Sequence, residues 1–289
     1  MNPDNNPVKV YKINHSTKEN KNKNNNQNLK ILQFPPNMLS IDQWCDLLQF
    51  SLIQPEAILL SSTILKLQEE MNAYSISDII RENQKNKDVK KETIQTLNTF
   101  LSQVDNWNIF TNITDPIEAL INPGEITIID LSKVYSSHLK QTITAIITKL
   151  LFHYRIDQRR KEELNLIHNR PNLKQKPYIY LAIDEAHLFL PKNESCYVKK
   201  ILLENWLRQG RQPGLSVILA TQRPSFMDQE VLSHSDLVLC HRVTAHDDIE
   251  SLTKIRPTYM RSDLKSTLKK IGSEKGVALL IDDVVETSH

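Results

Sequence analysis

The stretch of sequence that most constrains the fold is Tyr178–His187, which reads YIYLAIDEAH. It is an apolar run that ends in two adjacent carboxylates, Asp184 and Glu185. An apolar run of this length predicts a strand buried inside a sheet, with both of its faces covered. Side chains that directly follow such a strand lie at its carboxyl end, which is where α/β sheets bind their ligands. The run therefore predicts an α/β protein with an acidic site at one edge of its sheet.

The second half of the chain repeats this pattern of apolar strand followed by helix. Strands are expected at 125–130, 178–184, 215–221, 237–242 and 276–281. Helices are expected at 136–160, 198–209, near 229, at 247–254 and at 261–269. Strands that alternate with helices indicate a mainly parallel sheet covered on both faces.

The first part of the chain has a different character. Two short strands are expected at 8–13 and 29–34, on either side of an Asn/Lys-rich tract at 18–28 that cannot bury apolar surface. From Asn37 to Glu118 there is no glycine, and apolar residues recur at helical spacing. We interpret this stretch as an all-helical insertion. The predicted division is 1–36 for the strands and flexible loop, 37–120 for the insertion and 121–289 for the α/β core.

Composition excludes several classes of protein. The net charge of +2 is too small to indicate nucleic-acid or membrane-surface binding by overall charge. The three cysteines are far apart and form no CxxC pair, which favours a reducing, intracellular setting. No signal peptide or membrane-spanning apolar run is present in the sequence. We therefore expect a soluble, cytoplasmic protein with no membrane partner.

The acidic pair has a specific chemical interpretation. Asp184 would hold Mg²⁺ through its water shell, and Glu185 would orient and deprotonate an attacking water. The alternative is that the two carboxylates form a polar turn that caps the next helix. The strongly apolar strand before them, and the polar segments after them, favour the catalytic interpretation.

A second polar segment is Trp206–Gly214, which reads WLRQGRQPG. An arginine on a glycine-flanked loop can deliver its guanidinium to the γ-phosphate of a neighbouring subunit. Arg211, beyond Gly210, is the candidate for this arginine finger. The alternative is a helix C-terminus whose arginines complement the helix dipole, and Arg208 fits that alternative better.

A third segment, Ala220–Pro224, reads ATQRP and follows another apolar strand. Thr221 and Gln222 are expected beside the end of the strand that carries Asp184. A glutamine at this place can hydrogen-bond the lytic water or sense the γ-phosphate. The alternative is an ordinary turn at the end of a strand.

These three segments together resemble the HerA/FtsK superfamily of ring-forming, DNA-translocating ATPases, on the HerA side. The resemblance rests on DEAH after an apolar strand, GRQPGL, and TQRP after the next strand. It implies a RecA-like core, with Asp184 and Glu185 as the Walker B pair, Arg211 as a finger acting in trans and Gln222 as a sensor. It also implies ATP and Mg²⁺ as cofactors, with Asp184 and Thr221 binding them. The implied partners are double-stranded DNA, the same or homologous subunits in a hexameric ring, and a nuclease.

One part of the family pattern is missing from the sequence. A phosphate-cradling loop reads GxxxxGK[ST], and none of the five glycines stands in that pattern. Since members of the family carry this loop upstream, we expect the fold to be incomplete at its N-terminus and the chain to be inactive alone.

Three hypotheses remain open at this point. The chain is a truncated or split part of such an ATPase, which needs a phosphate loop from elsewhere. Alternatively, it is a non-hydrolysing partner subunit that donates Arg211 in trans. A third hypothesis, a superfamily 2 DEAH helicase, would require a Ser-Ala-Thr motif and a later arginine-rich motif, and neither is evident in the sequence.

Overall fold

The computed structural model describes residues 7–13, 29–111, 117–168, 177–254, 266–268, 276–282 and 287–288. The chain divides into two compact units, and the boundary falls between Pro177 and Tyr178. The Asn/Lys-rich tract at 18–28 lies outside the described residues, as does most of the helix expected at 261–269. The three-part division expected from the sequence stays a prediction.

The first unit contains a three-stranded parallel sheet. Its strands are β1 (Val8–Lys12), β2 (Leu29–Ile31) and β3 (Ile126–Asp130). β1 lies in the middle and pairs in parallel with both neighbours, with Lys12 opposite Asp130. Both early strands expected from the sequence are present, although β2 is shorter than expected because Pro35 and Pro36 follow it closely.

Four helices separate β2 from β3, as the insertion hypothesis expects. They are α1 (Ile41–Leu48), α2 (Pro55–Glu70), α3 (Ile76–Lys85) and α4 (Lys91–Asp105). Serine capping boxes begin α1 and α3, whereas Pro55 at the first turn begins α2. Short 3₁₀ turns at Pro36–Met38 and Ile117–Leu120 lie on either side of the four helices.

A buried polar chain links α2, α3 and α4. The Thr63 hydroxyl donates to Asn83 Oδ1 at 2.7 Å, and Asn83 Nδ2 donates to Asn98 Oδ1 at 2.9 Å. Asn83 is fully buried. A buried amide without hydrogen-bond partners destabilises the folded state. These hydrogen bonds therefore fix the relative position of the three helices more specifically than the surrounding leucines and isoleucines can.

A long helix, α5 (Ser137–Ile167), follows β3 and completes the first unit. It extends beyond the expected end near 160, since ion pairs of Arg155 with Glu162 and of Arg159 with Glu163 lie along its last turns. Within the described residues, no helix is both long and apolar enough to span a membrane.

The second unit contains two sheets. β4 (Ile179–Ile183) and β5 (Leu215–Leu219) form a parallel pair. β6 (Leu237–Cys240), β7 (Leu279–Asp282) and β8 (Thr287–Ser288) pair in antiparallel fashion. Among its described residues, this unit contains α6 (Tyr197–Ile201, continued as a π-helix over Leu202–Leu207), α7 (Gln229–Ser233), α8 (His246–Thr253) and helical residues at 266–268.

The end of α6 depends on a glycine. Gly210 donates its N–H to the Trp206 carbonyl at 3.0 Å, and a Cβ at position 210 would lie 2.2 Å from that same oxygen. Only glycine allows the chain to turn this tightly from α6 into β5. The turn leads through Arg211 to the start of β5 at Leu215.

Some apolar side chains of the parallel strands are exposed in the part of the chain that the structure describes, whereas the sequence predicted strands with both faces covered. In β3, Ile126 and Ile128 are half exposed, and in the second unit Tyr180 of β4 and Ile218 of β5 are also exposed. The opposite face of the β4–β5 pair is packed, with Ile179 and other residues buried. In the β4–β5 pair, therefore, one face is buried or partly buried and the other has exposed side chains.

The capping box of α3 supplies a test of the fold. The Ser75 hydroxyl accepts from the Asp78 N–H at 3.2 Å and donates to Asp78 Oδ2 at 2.7 Å. We expect Ser75→Ala to lower the free energy of unfolding by about 1 kcal/mol. Ser77→Ala, on the exposed side of the same turn, is the matched control and should change it by less than about 0.5 kcal/mol. Urea unfolding followed by circular dichroism measures both.

The same contact predicts a pH dependence. Hydrogen bonds from the Ser75 hydroxyl and the Ser75 N–H lower the pKa of Asp78 below its ordinary value of 3.8. A lowered pKa stabilises the folded protein above the ordinary value, and this contribution disappears as the pH falls through the folded-state pKa. The difference between wild type and Ser75→Ala should therefore be largest near neutral pH and shrink below pH 4. A difference that stays constant down to acidic pH would contradict the capping box.

Candidate active site at the carboxyl ends of β4 and β5

Parallel pairing brings the acidic pair and the ATQRP segment to the same edge. Ile183, the last residue of β4, lies opposite Leu219, the last residue of β5. Beyond the strands, the Ala220 N–H donates to the Ile183 carbonyl and the Ala186 N–H donates to the Ala220 carbonyl, each at 2.9 Å. The two segments therefore stay in contact where their polar residues begin.

Glu185 has an unusual backbone conformation. Its φ of 49° and ψ of 46° place it in the left-handed region, directly before a 3₁₀ turn at Ala186–Leu188. This conformation costs a non-glycine residue about 1–2 kcal/mol, and such strain is concentrated at functional sites. The Glu185 N–H donates to Asp184 Oδ1 at 2.9 Å, so the two acidic residues hold each other in place.

Both oxygens of the Glu185 carboxylate have a partner, one in the neighbouring ATQRP segment and one in the same segment as Glu185. Gln222 Nε2 donates to Glu185 Oε1 at 3.4 Å. His187 Nδ1 lies 3.4 Å from Glu185 Oε2 and 3.1 Å from the Thr221 hydroxyl oxygen. That oxygen accepts the Arg223 N–H at 3.1 Å. Four of the five site residues expected from the sequence, Asp184, Glu185, Thr221 and Gln222, thus lie together, with His187 between them.

The cluster is open to water. Asp184 and Gln222 are exposed, and the Glu185 side chain retains 40% of its accessible surface, whereas His187 retains only 13%. His187 is therefore largely buried beneath the cluster, while the carboxylates of Asp184 and Glu185 face solvent. A carboxylate in this position can accept a proton from a water molecule that approaches the edge of the sheet.

Asp184 has the chemistry needed for magnesium. One of its oxygens accepts the Glu185 N–H, and Oδ2 has no protein hydrogen bond in the described part of the chain. The described residues contain no group of three His, Cys, Asp or Glu side chains that could enclose a metal ion. Magnesium is usually held by one or two carboxylates together with water and substrate phosphates, so a single open aspartate fits this mode of binding.

Arg211 does not join the cluster within this chain. It lies in the turn between α6 and the amino end of β5, while Gln222 follows the carboxyl end. The five residues of β5 span about 16 Å, so Arg211 and Glu185 lie at opposite ends of the strand. Arg208 forms an ion pair with Glu230 of α7. Arg211 is exposed and has no ion pair among the described residues.

Arg223 is a residue of this edge that the sequence did not indicate. Its guanidinium carbon lies 3.7 Å from the centroid of the Phe226 ring, within the 3₁₀ turn Pro224–Phe226. The Ser225 N–H donates to Asp248 Oδ1 at 2.9 Å and ties this turn to α8. The signal in the sequence was an arginine three residues before an aromatic residue in a short turn, a spacing that allows a cation–π contact.

Comparison with known families extends these observations. Residues 4–151, just over half of the chain, match a family model described as "Helicase HerA, central domain". The chain belongs to the HerA central-domain family. The match covers the sheet of the first unit and the helices inserted in it, and it ends before β4. The acidic cluster therefore lies outside the matched region, and the roles of its residues stay predictions.

Two curated HerA relatives match a larger part of the chain. A protein of Pyrococcus furiosus is 22% identical over 223 residues, which are 70% of this chain and 39% of the relative. A protein of Saccharolobus solfataricus is 24% identical over 208 residues, 71% of this chain and 39% of the relative. Both are named "DNA double-strand break repair helicase HerA". The chain spans about two fifths of the length of these relatives.

One solved structure supports the fold. VirB4 of Thermoanaerobacter pseudethanolicus superposes with a TM-score of 0.54 at 12% identity, over 84% of this chain and 65% of that chain. The genome packaging NTPase B204 from Sulfolobus turreted icosahedral virus 2 gives a TM-score of 0.40 at 15% identity, over 61% and 70% of the two chains. The expected α/β fold of the P-loop NTPase type, with a mainly parallel sheet, is confirmed.

The backbone of Glu185 supplies a test of the site. Glycine adopts the left-handed conformation without strain, so Glu185→Gly should leave the free energy of unfolding unchanged or raise it by up to about 1 kcal/mol. Glu204→Gly, inside α6, is the matched control and should lower it by about 1 kcal/mol. Urea unfolding of both variants gives the comparison. A loss of more than about 1 kcal/mol in Glu185→Gly would mean that side-chain contacts outweigh the backbone strain.

Proposed function

We propose that this chain carries the acidic half of an ATPase site in a HerA-type assembly that translocates or unwinds double-stranded DNA. The observation that carries the proposal is the cluster of Asp184, Glu185, Thr221 and Gln222 at one edge of the β4–β5 pair. Membership of the HerA family and the acidic residues at the carboxyl ends of the strands support the same conclusion.

Each residue of the cluster has a role in this proposal. Glu185 accepts a proton from the water that attacks the γ-phosphate of ATP, and Gln222, in contact with Glu185, orients that water. Thr221 and His187 fix the position of the glutamate. Mg²⁺, when bound, neutralises negative charge on the phosphates, and Asp184 would hold it through water.

Arg211 acts on a different nucleotide from the one beside Glu185. Its position at the amino end of β5 separates it from the acidic cluster of its own chain. A guanidinium without an ion pair among the described residues can reach the γ-phosphate bound to a neighbouring subunit, where it stabilises the charge of the transition state. This role requires a ring of the same or homologous subunits, for which we propose six members.

The partners follow from the family. We propose that the assembly moves along double-stranded DNA. The relatives' names place those proteins in the repair of double-strand breaks. A nuclease that processes broken ends is the further partner that such a role would require. We propose the cytoplasm as the site of action.

A second candidate function is a non-hydrolysing subunit that donates Arg211 to complete neighbours. The separation of Arg211 from Glu185 is compatible with this function as well as with the first, because the finger does not depend on the acidic cluster of its own chain. In the first function Glu185 is the base that accepts the proton of the attacking water. In the second function Glu185 takes no part in hydrolysis. The superfamily 2 helicase hypothesis loses support, since the chain belongs to the HerA family.

Mixed assemblies distinguish these functions. We expect the purified chain to show no ATP hydrolysis, and mixtures with a HerA-family subunit that contains GxxxxGK[ST] to hydrolyse ATP. In such mixtures Arg211→Ala should lower kcat by about 10³-fold. Arg208→Ala is the matched control, and it should leave kcat within a few-fold because a surface ion pair contributes little. Steady-state phosphate release measures all of these rates.

Glu185→Gln then separates the two candidates. If this chain contributes the base, the variant lowers hydrolysis in the mixtures; if it donates only the finger, the variant leaves hydrolysis unchanged. Equal rates of ATP hydrolysis in mixtures that contain the wild-type chain and in mixtures that contain Arg211→Ala would contradict the assignment of Arg211 as the finger. Hydrolysis by the purified chain that Glu185→Gln abolishes would contradict the proposal that a phosphate loop must come from elsewhere.

A further inference from the structure

A polar groove runs between α3 and α4 of the helical insertion. Its volume is about 950 Å³, and every residue that lines it belongs to α3, to α4 or to the turn that joins them. The α4 residues of its wall recur every three or four positions from Lys91 to Ser102, so they form one stripe along the helix. This stripe is about 16 Å long. The α3–α4 groove is therefore built by the first unit alone.

The lining of the α3–α4 groove contains no negative charge. None of the lining residues is acidic, and Asp88 and Glu92, which are close to it in sequence, do not line it. The polar members are two lysines, four residues with side-chain amides and two residues with hydroxyl groups. Lysine, amide and hydroxyl side chains are the ones that contact the phosphate oxygens of nucleic acids. The lining therefore favours an anionic ligand.

The two lysines of the groove are Lys87 and Lys91. Both are exposed, and neither forms an ion pair in the described part of the chain. The neighbouring Lys85, by contrast, forms an ion pair with the buried Glu82 at 2.7 Å. Lys91 is the first residue of α4, so the positive end of the helix dipole lies at the same end of the groove. This end can therefore bind a negative charge from outside the chain.

The buried polar chain of the insertion fixes the orientation of the Asn98 amide. Because the Thr63 hydroxyl donates to Asn83 Oδ1, the Asn83 amide is left to donate through Nδ2, and Asn98 accepts this bond through Oδ1. Asn98 also lines the groove. Its Nδ2 group, with two N–H donors, is the part of the amide that the buried chain leaves for a ligand. The packing of three helices thus determines that Asn98 offers a donor to the groove.

We infer that the α3–α4 groove binds the phosphate backbone of double-stranded DNA, through residues other than those of the acidic cluster. The choice of DNA among polyanions rests on the proposed function. No aromatic residue lines the groove, so it lacks the side chains on which proteins stack the bases of single strands. Each strand of a duplex carries one phosphate for about every 3.4 Å of axis, so a stripe of about 16 Å can contact several consecutive phosphates. Contacts to phosphates alone give binding without sequence preference.

Fluorescence anisotropy of a labelled duplex oligonucleotide, titrated with the purified full chain over a series of salt concentrations, tests the inference. The double variant Lys87→Gln, Lys91→Gln should weaken binding about tenfold or more. It should also reduce the slope of log K against log salt by about 2, because each neutralised phosphate contributes about 0.9. The matched control is Lys133→Gln, Lys161→Gln, which removes the same charge from exposed lysines of the same unit that do not line the groove. This control should keep the slope and bind within a few-fold of wild type.

A second pair of variants tests the Asn98 donor. Asn98→Asp keeps the oxygen that accepts from Asn83 and replaces the donor with a negatively charged oxygen, so it should weaken DNA binding about tenfold. Thr96→Asp adds the same charge to the same helix, but residues two apart face different sides, so it should bind within a few-fold of wild type. Circular dichroism establishes that each variant is folded before binding is compared, and the lysine variants test the groove without altering the buried chain.

Several outcomes would overturn the inference. These are the absence of saturable binding of duplex DNA, equal binding by wild type and both groove variants, and tighter binding of a single strand than of the duplex. Polyglutamate that binds the wild-type chain as tightly as DNA, and that the same variants release, would overturn it in favour of an acidic polypeptide.

The DNA-binding measurement contains no nucleotide, so it separates this inference from the proposed function. Groove-dependent DNA binding, without ATP hydrolysis in the mixed assemblies, would support the groove and contradict the proposed ATPase site. Hydrolysis in those assemblies, with equal DNA binding by wild type and the groove variants, would support the site and contradict the groove.

Discussion

The in-register parallel pairing of β4 with β5 is the constraint on which the candidate site depends. It places Ile183 opposite Leu219. Beyond the strands, the hydrogen bonds of Ala220 with Ile183 and Ala186 keep the two segments together where their polar residues begin. A shift of one residue would turn every side chain to the other face and separate Glu185 from Gln222. The left-handed conformation of Glu185 is tolerated because this pairing holds the residues before and after it.

Much of this architecture could be predicted from the sequence because its signals are local. Residues close together in the sequence determine the capping boxes at Ser40 and Ser75, the apolar strands and the acidic pair. The proximity of Gln222 to Glu185 followed from parallel pairing of consecutive strands. The exposed apolar side chains of the parallel strands could not be predicted, because an apolar run does not indicate whether another segment covers it. The Arg223–Phe226 contact and the extension of α5 likewise depend on side-chain packing.

The central proposal is that this chain holds the acidic half of a nucleotide site, while its sequence contains no GxxxxGK[ST] loop to bind phosphate. Calorimetric titration of the purified chain with Mg·ATP tests it most directly. Two open carboxylates with no phosphate-binding loop should give no saturable binding up to about 1 mM nucleotide, which corresponds to a binding free energy weaker than about −4 kcal/mol. A dissociation constant in the micromolar range, retained in Arg211→Ala and lost in Asp184→Ala, would contradict the account.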